Sequence, residues 1–319
     1  MKRVLIAGLT VFLVLFVSSA YAQKEVRLSI ATGGTGGVYY PMGGGMANII
    51  SKYIPYAEAT AEVTSASVDN CLLVGAKKSD MALIMADTGW DAFQGKGKFK
   101  EKFPIMTLAV LYINNMHLVT LEGKGIDKVP DLKGKRVSTG SPGSGTEVKA
   151  LRVLEAFGLD PDKDMTRDRL GASESAGALK DGKIDAYFWD GGLPTASVTD
   201  LGATPGVKIK LIAHADAVPK MVEKYGPLYF KGVIPAKMYP GQDQDVSIAR
   251  VSNLLICNKD MKDTVAYDVV KTLFEHKPEL VAVHRMAEEL SLEPQVDGSP
   301  LPFHPGAAKY FKEKGLKLK

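Results

Sequence analysis

Two stretches of this chain combine backbone-rich loops with small hydroxyl side chains: Thr32-Gly33-Gly34-Thr35-Gly36-Gly37-Val38-Tyr39-Tyr40-Pro41 and Gly140-Ser141-Pro142-Gly143-Ser144-Gly145-Thr146-Glu147. Each follows a short β-rich run and leads into a helical pattern. Glycine lets main-chain N–H groups approach a guest closely, and a helix start adds unpaired N–H groups and the positive end of the helix dipole. Such loops fit a negatively charged group. Tyr39 and Tyr40 add a wall that can pack on a carbon chain while offering hydroxyls, with one of the two expected in the core instead. Ser144 and Glu147 have the spacing of a capping box, which fixes the second helix start near Ser144. Neither loop contains an arginine, so a carboxylate would be held by main-chain donors and hydroxyls.

Other chemistries fit less well. The G-x-G-x-x-G pattern fails after Gly34-Thr35-Gly36, and neither loop ends in Gly-Lys-Ser/Thr, so neither a dinucleotide fingerprint nor a phosphate loop is present. There is no Gly-x-Ser-x-Gly elbow, and His117, His214, His276, His284 and His304 show no H-E-x-x-H spacing. No metal, cofactor or catalytic residue is therefore expected; Asp87 or Asp190 could serve an acid-base enzyme, but neither has a partnered nucleophile. Lysines alternate with acids, and the dense patch around Lys96, Lys98, Lys100 and Lys102 reads as a solvated loop, so nucleic acid is not an expected partner. Cys71 and Cys257 sit among apolar neighbours; an oxidising compartment permits a bridge between them, but two buried free thiols are the favoured expectation.

The elements that must position the loops alternate along the chain. Strands are expected at 27–31, 61–64 and 81–85, with helices at 41–53 and from an N-cap at Ser67 to 77. A second series follows: strand 136–139, a helix to 157, strand 165–170, helix 173–180, strand 186–189, helix 195–201 and strand 207–213. Residues 117–121 and 253–257 are β-rich and able to cross between the series, after which helices at 264–275 and 305–314 return to the first. The expected fold class is α/β, with two α/β lobes joined by two hinge strands and the ligand cleft between them. Lobe 1 would comprise 23–120 and 253–319, and lobe 2 121–252.

Residues 1–22 read as an export signal: Lys2 and Arg3, an apolar run over 4–17, and the small-x-small site Ala20-Tyr21-Ala22. The run is shorter than the ~20 residues of a spanning helix, and no cysteine near the cleavage site offers a lipid anchor. Cleavage takes away two basic and no acidic residues, so the formal charge falls from +4 to +2. The expected product is periplasmic, soluble and monomeric.

Several motifs together carry a resemblance: Gly33 to Gly44, Asp131-Leu132-Lys133-Gly134-Lys135-Arg136-Val137, Ser141 to Glu147, Tyr239-Pro240-Gly241-Gln242-Asp243 and Phe303-His304-Pro305-Gly306-Ala307. In this order, over nearly the whole mature chain, they resemble the TAXI family, the extracytoplasmic solute-binding proteins of TRAP transporters. The resemblance implies a periplasmic-binding-protein fold of the second type. It would close on a small organic anion, glutamate- or glutamine-like or a dicarboxylate, and deliver it to membrane subunits driven by an ion gradient. The contacts it implies are Gly36, Gly37, Val38, Tyr39 and Tyr40; Ser67 and Asn70 at the second helix start; and Ser141, Ser144, Gly145 and Thr146. Trp189 and Asp190, ending a second-lobe strand, are weaker candidates. The chain departs from the family pattern at Met85-Ala86-Asp87, where many members carry Gln-Ser-Asp, and at Tyr112-Ile113-Asn114, where Tyr-Pro-Glu is usual. The ligand is therefore not tied to glutamate, and Asp87 is open to a structural role. An exported sensor module for a membrane kinase would share the same binding chemistry.

Overall fold

Short apolar runs set the strands, and the turns after them set where helices begin. In the computed structural model, which describes residues 26–318, the chain runs β1 (Val26–Ala31), α1 (Tyr39–Tyr53), β2 (Ala57–Glu62), α2 (Ser67–Gly75), β3 (Met81–Met85) and α3 (Ala86–Gln94) into a long strand, β4 (Ile105–Leu121). The second series is β5 (Arg136–Ser138), α4 (Gly145–Ala156), β6 (Thr166–Asp168), α5 (Ala172–Lys180), β7 (Ala186–Gly191), α6 (Ala196–Ala203), β8 (Ile209–Leu211), α7 (Val218–Tyr225) and β9 (Phe230–Ile234). It ends in a second long strand, β10 (Val246–Asn258), followed by α8 (Asp263–Glu275), α9 (Lys277–Val283) and α10 (Pro305–Glu313). The export signal expected at residues 1–22 lies outside the described residues.

All the strands join one sheet with the central order β2-β1-β3-β10-β4-β7-β5-β6. Pairing is parallel within each series, β1 with β2 and β3, β5 with β6 and β7. It is antiparallel where β10 meets β3 and β4 and where β4 meets β7. The two long strands thus stand between the series, as expected for 117–121 and 253–257, but run 17 and 13 residues. The register of β10 against β4 shifts between Ser252 and Leu254, leaving Asn253 in a bulge. β3 is buried at every position, as a strand covered on both faces must be. Alternation sends Leu83 and Leu255 into a core with Ile49, Tyr187 and Leu280 on one face, and Ala82, Ile84 and Ile256 into another with Val110, Val153 and Phe188. α9 comes back onto α1, where Gly45 leaves room for Leu280.

Local differences from expectation have local causes. α1 begins at Tyr39, which puts Pro41 inside the first turn, where its missing N–H is no loss. β2 lies at Ala57–Glu62 instead of 61–64; its Ala-Glu-Ala-Thr-Ala-Glu run has low β-propensity and is recruited by parallel pairing with β1. Ser67 does not cap α2: Ala66 holds the cap position at φ +80°, and Ser67, the first helical residue, accepts through Oγ from Met85 N at 3.1 Å. Ser144 does cap α4, its Oγ accepting from Glu147 N at 3.0 Å. The reciprocal half of that box is absent, because Arg167 and Arg169 take the Glu147 carboxylate. Helices α3, α7 and α9 and strand β9 have no counterpart among the expected elements.

Candidate functional site

The two glycine loops face each other across a cavity of about 240 Å³ between the β1 side and the β5 side of the molecule. Four helices begin on its wall. Tyr39, Ser67, Gly145 and Ala172, the first residues of α1, α2, α4 and α5, all line it. α1, α2 and α5 lack a side-chain cap, and α1 has no acidic residue in its first turn either. At α2, Val68 N and Asp69 N donate instead to Gly143 O, at 3.0 and 3.2 Å, across the cavity from one loop side to the other. Thr35, Thr64, Ser65, Ser141 and Ser173 add hydroxyls. Glu174 and Asp190 are the charged side chains among the lining residues, and neither Lys nor Arg is among them. The donors its lining offers to an anion are therefore main-chain N–H groups, hydroxyls and neutral side chains.

The structure brings together on this wall Gly36, Gly37, Val38, Tyr39, Ser67, Ser141, Ser144, Gly145, Thr146, Trp189 and Asp190. Gly37 spends its own N–H on Gly34 O at 3.1 Å, so its part is to admit Trp189, whose ring lies where a side chain at 37 would be. Trp189 is braced by its indole N–H donating to Thr195 Oγ1 at 3.0 Å. The Tyr39 hydroxyl donates to Asn253 Oδ1 in the β10 bulge, and burial raises the phenol well above its ordinary range. Asp190 is fully buried, with Lys149 Nζ 2.9 Å from Oδ2; Lys149 also donates to Ala249 O in β10 at 3.1 Å. Desolvation pushes the Asp190 carboxyl up to about 6 against the pull of Lys149, and Asp87 adds to the rise. Its Oδ1 has no hydrogen-bond partner.

Two implied contacts fall elsewhere. Tyr40, one residue around the helix from Tyr39, points away from the cavity and is 38% exposed. Asn70 is fully buried one turn into α2, where its amide donates to Thr32 O at 2.8 Å and Leu83 O at 2.7 Å and accepts from Thr64 Oγ1 at 2.7 Å. Its hydrogen-bonding capacity is spent on the scaffold. Asp87 is structural too: it accepts from Tyr229 at 2.8 Å and lies 3.6 Å from buried Arg152, which also pairs with Asp91.

Sequence reasoning missed Tyr112 and Asn114 of β4, Thr64 to Ala66, and Gly171 to Glu174 at the α5 start. Tyr112 Oη and Asn114 Oδ1 are buried without partners. Their signal was the departure at Tyr112-Ile113-Asn114 from the family pattern. His117, His214 and His304 are buried. Desolvation lowers His117 to about 3 and His214 to about 4, so both are neutral packing residues near pH 7. Among the described residues no group of three or more His, Cys, Asp or Glu is placed to hold a metal ion. Both cysteines are free and buried.

Known structures share this architecture. A putative L-cystine ABC transporter protein from Listeria monocytogenes is 19% identical over 83% of this chain and 95% of that one, with a TM-score of 0.51. An ancestral arginine-binding protein bound to arginine is 14% identical over 84% and 99%, TM-score 0.52. A protein from Bordetella bronchiseptica RB50 is 17% identical over 91% and 80%, TM-score 0.51. At such identities the likeness is one of fold: a two-lobed α/β architecture of the kind periplasmic solute-binding proteins have. The pattern of the NMT1-like family matches residues 30–315, and the chain belongs to that family.

Proposed function

We propose that the protein is an exported solute-binding protein of the TAXI type, which captures a small organic anion between its halves and delivers it to TRAP membrane subunits. The observation that carries this reading is the convergence of four helix N-termini on one cavity without a lysine or arginine among its lining residues. Lobe 1 would comprise 23–120 and 253–319 and lobe 2 121–252, with residues 1–22 removed on export to the periplasm. Hydrogen bonds to a charged acceptor contribute ~1.5 to 3 kcal/mol each and a helix N-terminus ~0.3 to 1. Four or five such bonds, less the cost of ordering, reach the ~8 kcal/mol of a micromolar complex. Backbone donors therefore suffice for a glutamate- or glutamine-like ligand or a dicarboxylate.

Native mass spectrometry of freshly purified protein, followed by thermal-shift screening with L-glutamate, L-glutamine, succinate and 2-oxoglutarate, tests the reading. A true ligand at 100 times its Kd stabilises by ~2.7 kcal/mol, a rise of roughly 5 °C or more for a chain of this size. No bound mass and no shift with any compound at millimolar concentration would sink it.

A further inference from the structure

We infer that loop glycines also act as steric keys for closure: Gly37, Gly143 and Gly145 are points where the β1 side and the β5 side meet with no room for a side chain. The inference rests on the reading of the cavity as a ligand cleft, and it assigns these glycines a positioning role that acts through the opposite half. A Cβ at Gly37 would lie 2.7 Å from Trp189 Cη2; at Gly143, 2.5 Å from Asp69 Oδ1; at Gly145, 2.3 Å from Met85 Cε and 2.7 Å from Ser67 Oγ. Gly36 also faces the other half, but the one atom its Cβ would crowd, Ser173 Oγ, is a hydroxyl that can rotate away. In every case the obstructing residue belongs to the other half. Two of them are held in place: Trp189 by Thr195, and Ser67 by the Met85 amide. Gly34 shares the loop and the cavity with Gly36 and Gly37, yet a Cβ there meets nothing within 4 Å. Gly34 therefore marks a loop position that faces the cavity without an obstruction from the other half.

Backbone conformation does not explain the pattern. Gly143 has φ +81°, which itself favours glycine, but Gly36, Gly37 and Gly145 are not in the left-handed region. The same junction carries its own hydrogen bonds, from Val68 N and Asp69 N to Gly143 O. Closure therefore has contacts that need no ligand, and a single methyl group at Gly37 or Gly145 holds the halves apart.

The ideal Cβ at Gly36 is 3.3 Å from Ser173 Cβ, close to the ~3.5–4.5 Å spanned by a disulfide. The mature chain carrying G36C and S173C, exposed to oxidised glutathione, will cross-link each time the halves meet; the two thiols are oxidised and the glutathione disulfide is reduced to two thiols. Adding G145A, or G37A as a second closure variant should G145A not fold, is expected to slow trapping at least tenfold. Adding G34A is expected to leave the rate unchanged, with circular dichroism melts confirming that each variant is folded. Trapping of G145A or G37A as fast as G34A, or no cross-link in the cysteine pair alone, overturns the inference. These rates are read without ligand, so failure of every compound in the binding screen is a separate result.

Discussion

Asp190 has Lys149 on one oxygen and nothing on the other, in a site with no exposure to solvent for its side chain. Its folded carboxyl, raised from 3.8 to about 6, binds a proton that the unfolded chain would have released. Its contribution to stability is therefore full below pH 3.8 and is lost as pH rises through about 6. Asp190→Asn resembles the protonated form at every pH. In urea unfolding the parent should lose stability relative to the variant as pH rises from 4 to 8, because only the parent must release a proton in a buried site. A difference between parent and variant that stays constant from pH 4 to 8 would contradict this account of the charge. The hydroxyls and glycines of the wall were legible because a strand, a glycine run and a helix start follow one another in sequence. Tyr112, Asn114 and Glu174 were not, since only tertiary structure brings β4 and the α5 start beside those loops.

Helix α2 shows how an element can be found correctly and its residues misassigned. The spacing places its start within a residue, but a serine before an apolar run suggested a cap, whereas Ala66 occupies that position with a positive φ. Asn70, four residues further on, turns inward and bridges the end of β1, β3 and Thr64. Asn70→Ala should leave at least one buried carbonyl without a donor and cost about 3 kcal/mol in chemical denaturation. Circular dichroism at low denaturant should stay native, because the helix itself keeps its backbone bonds. A loss below about 0.5 kcal/mol, the size typical of a surface change, would mean that the amide is not the tie described. β2 was expected too far along the chain for a related reason: its residues are poor strand formers, and the neighbouring strand β1 imposes the conformation.

At the scale of the molecule, alternating patterns revealed two series and two crossings, but not how completely the crossings fuse the halves. β4 and β10 carry ladder bonds on both sides of the junction, and each buried core draws residues from both series. Scanning calorimetry should therefore show one unfolding transition, with calorimetric and van't Hoff enthalpies in agreement; two resolved peaks would mean that the halves unfold separately. Length of crossing could not be read because hinge and core segments of a strand share the same apolar composition. The order of strands adds a last consequence. β10 is made late in synthesis yet lies between β3 and β4, so until residues 246–258 arrive the early strands have a raw edge and no route to the rest of the sheet. The sheet as a whole thus cannot close until the chain has been made as far as residue 258 of 319.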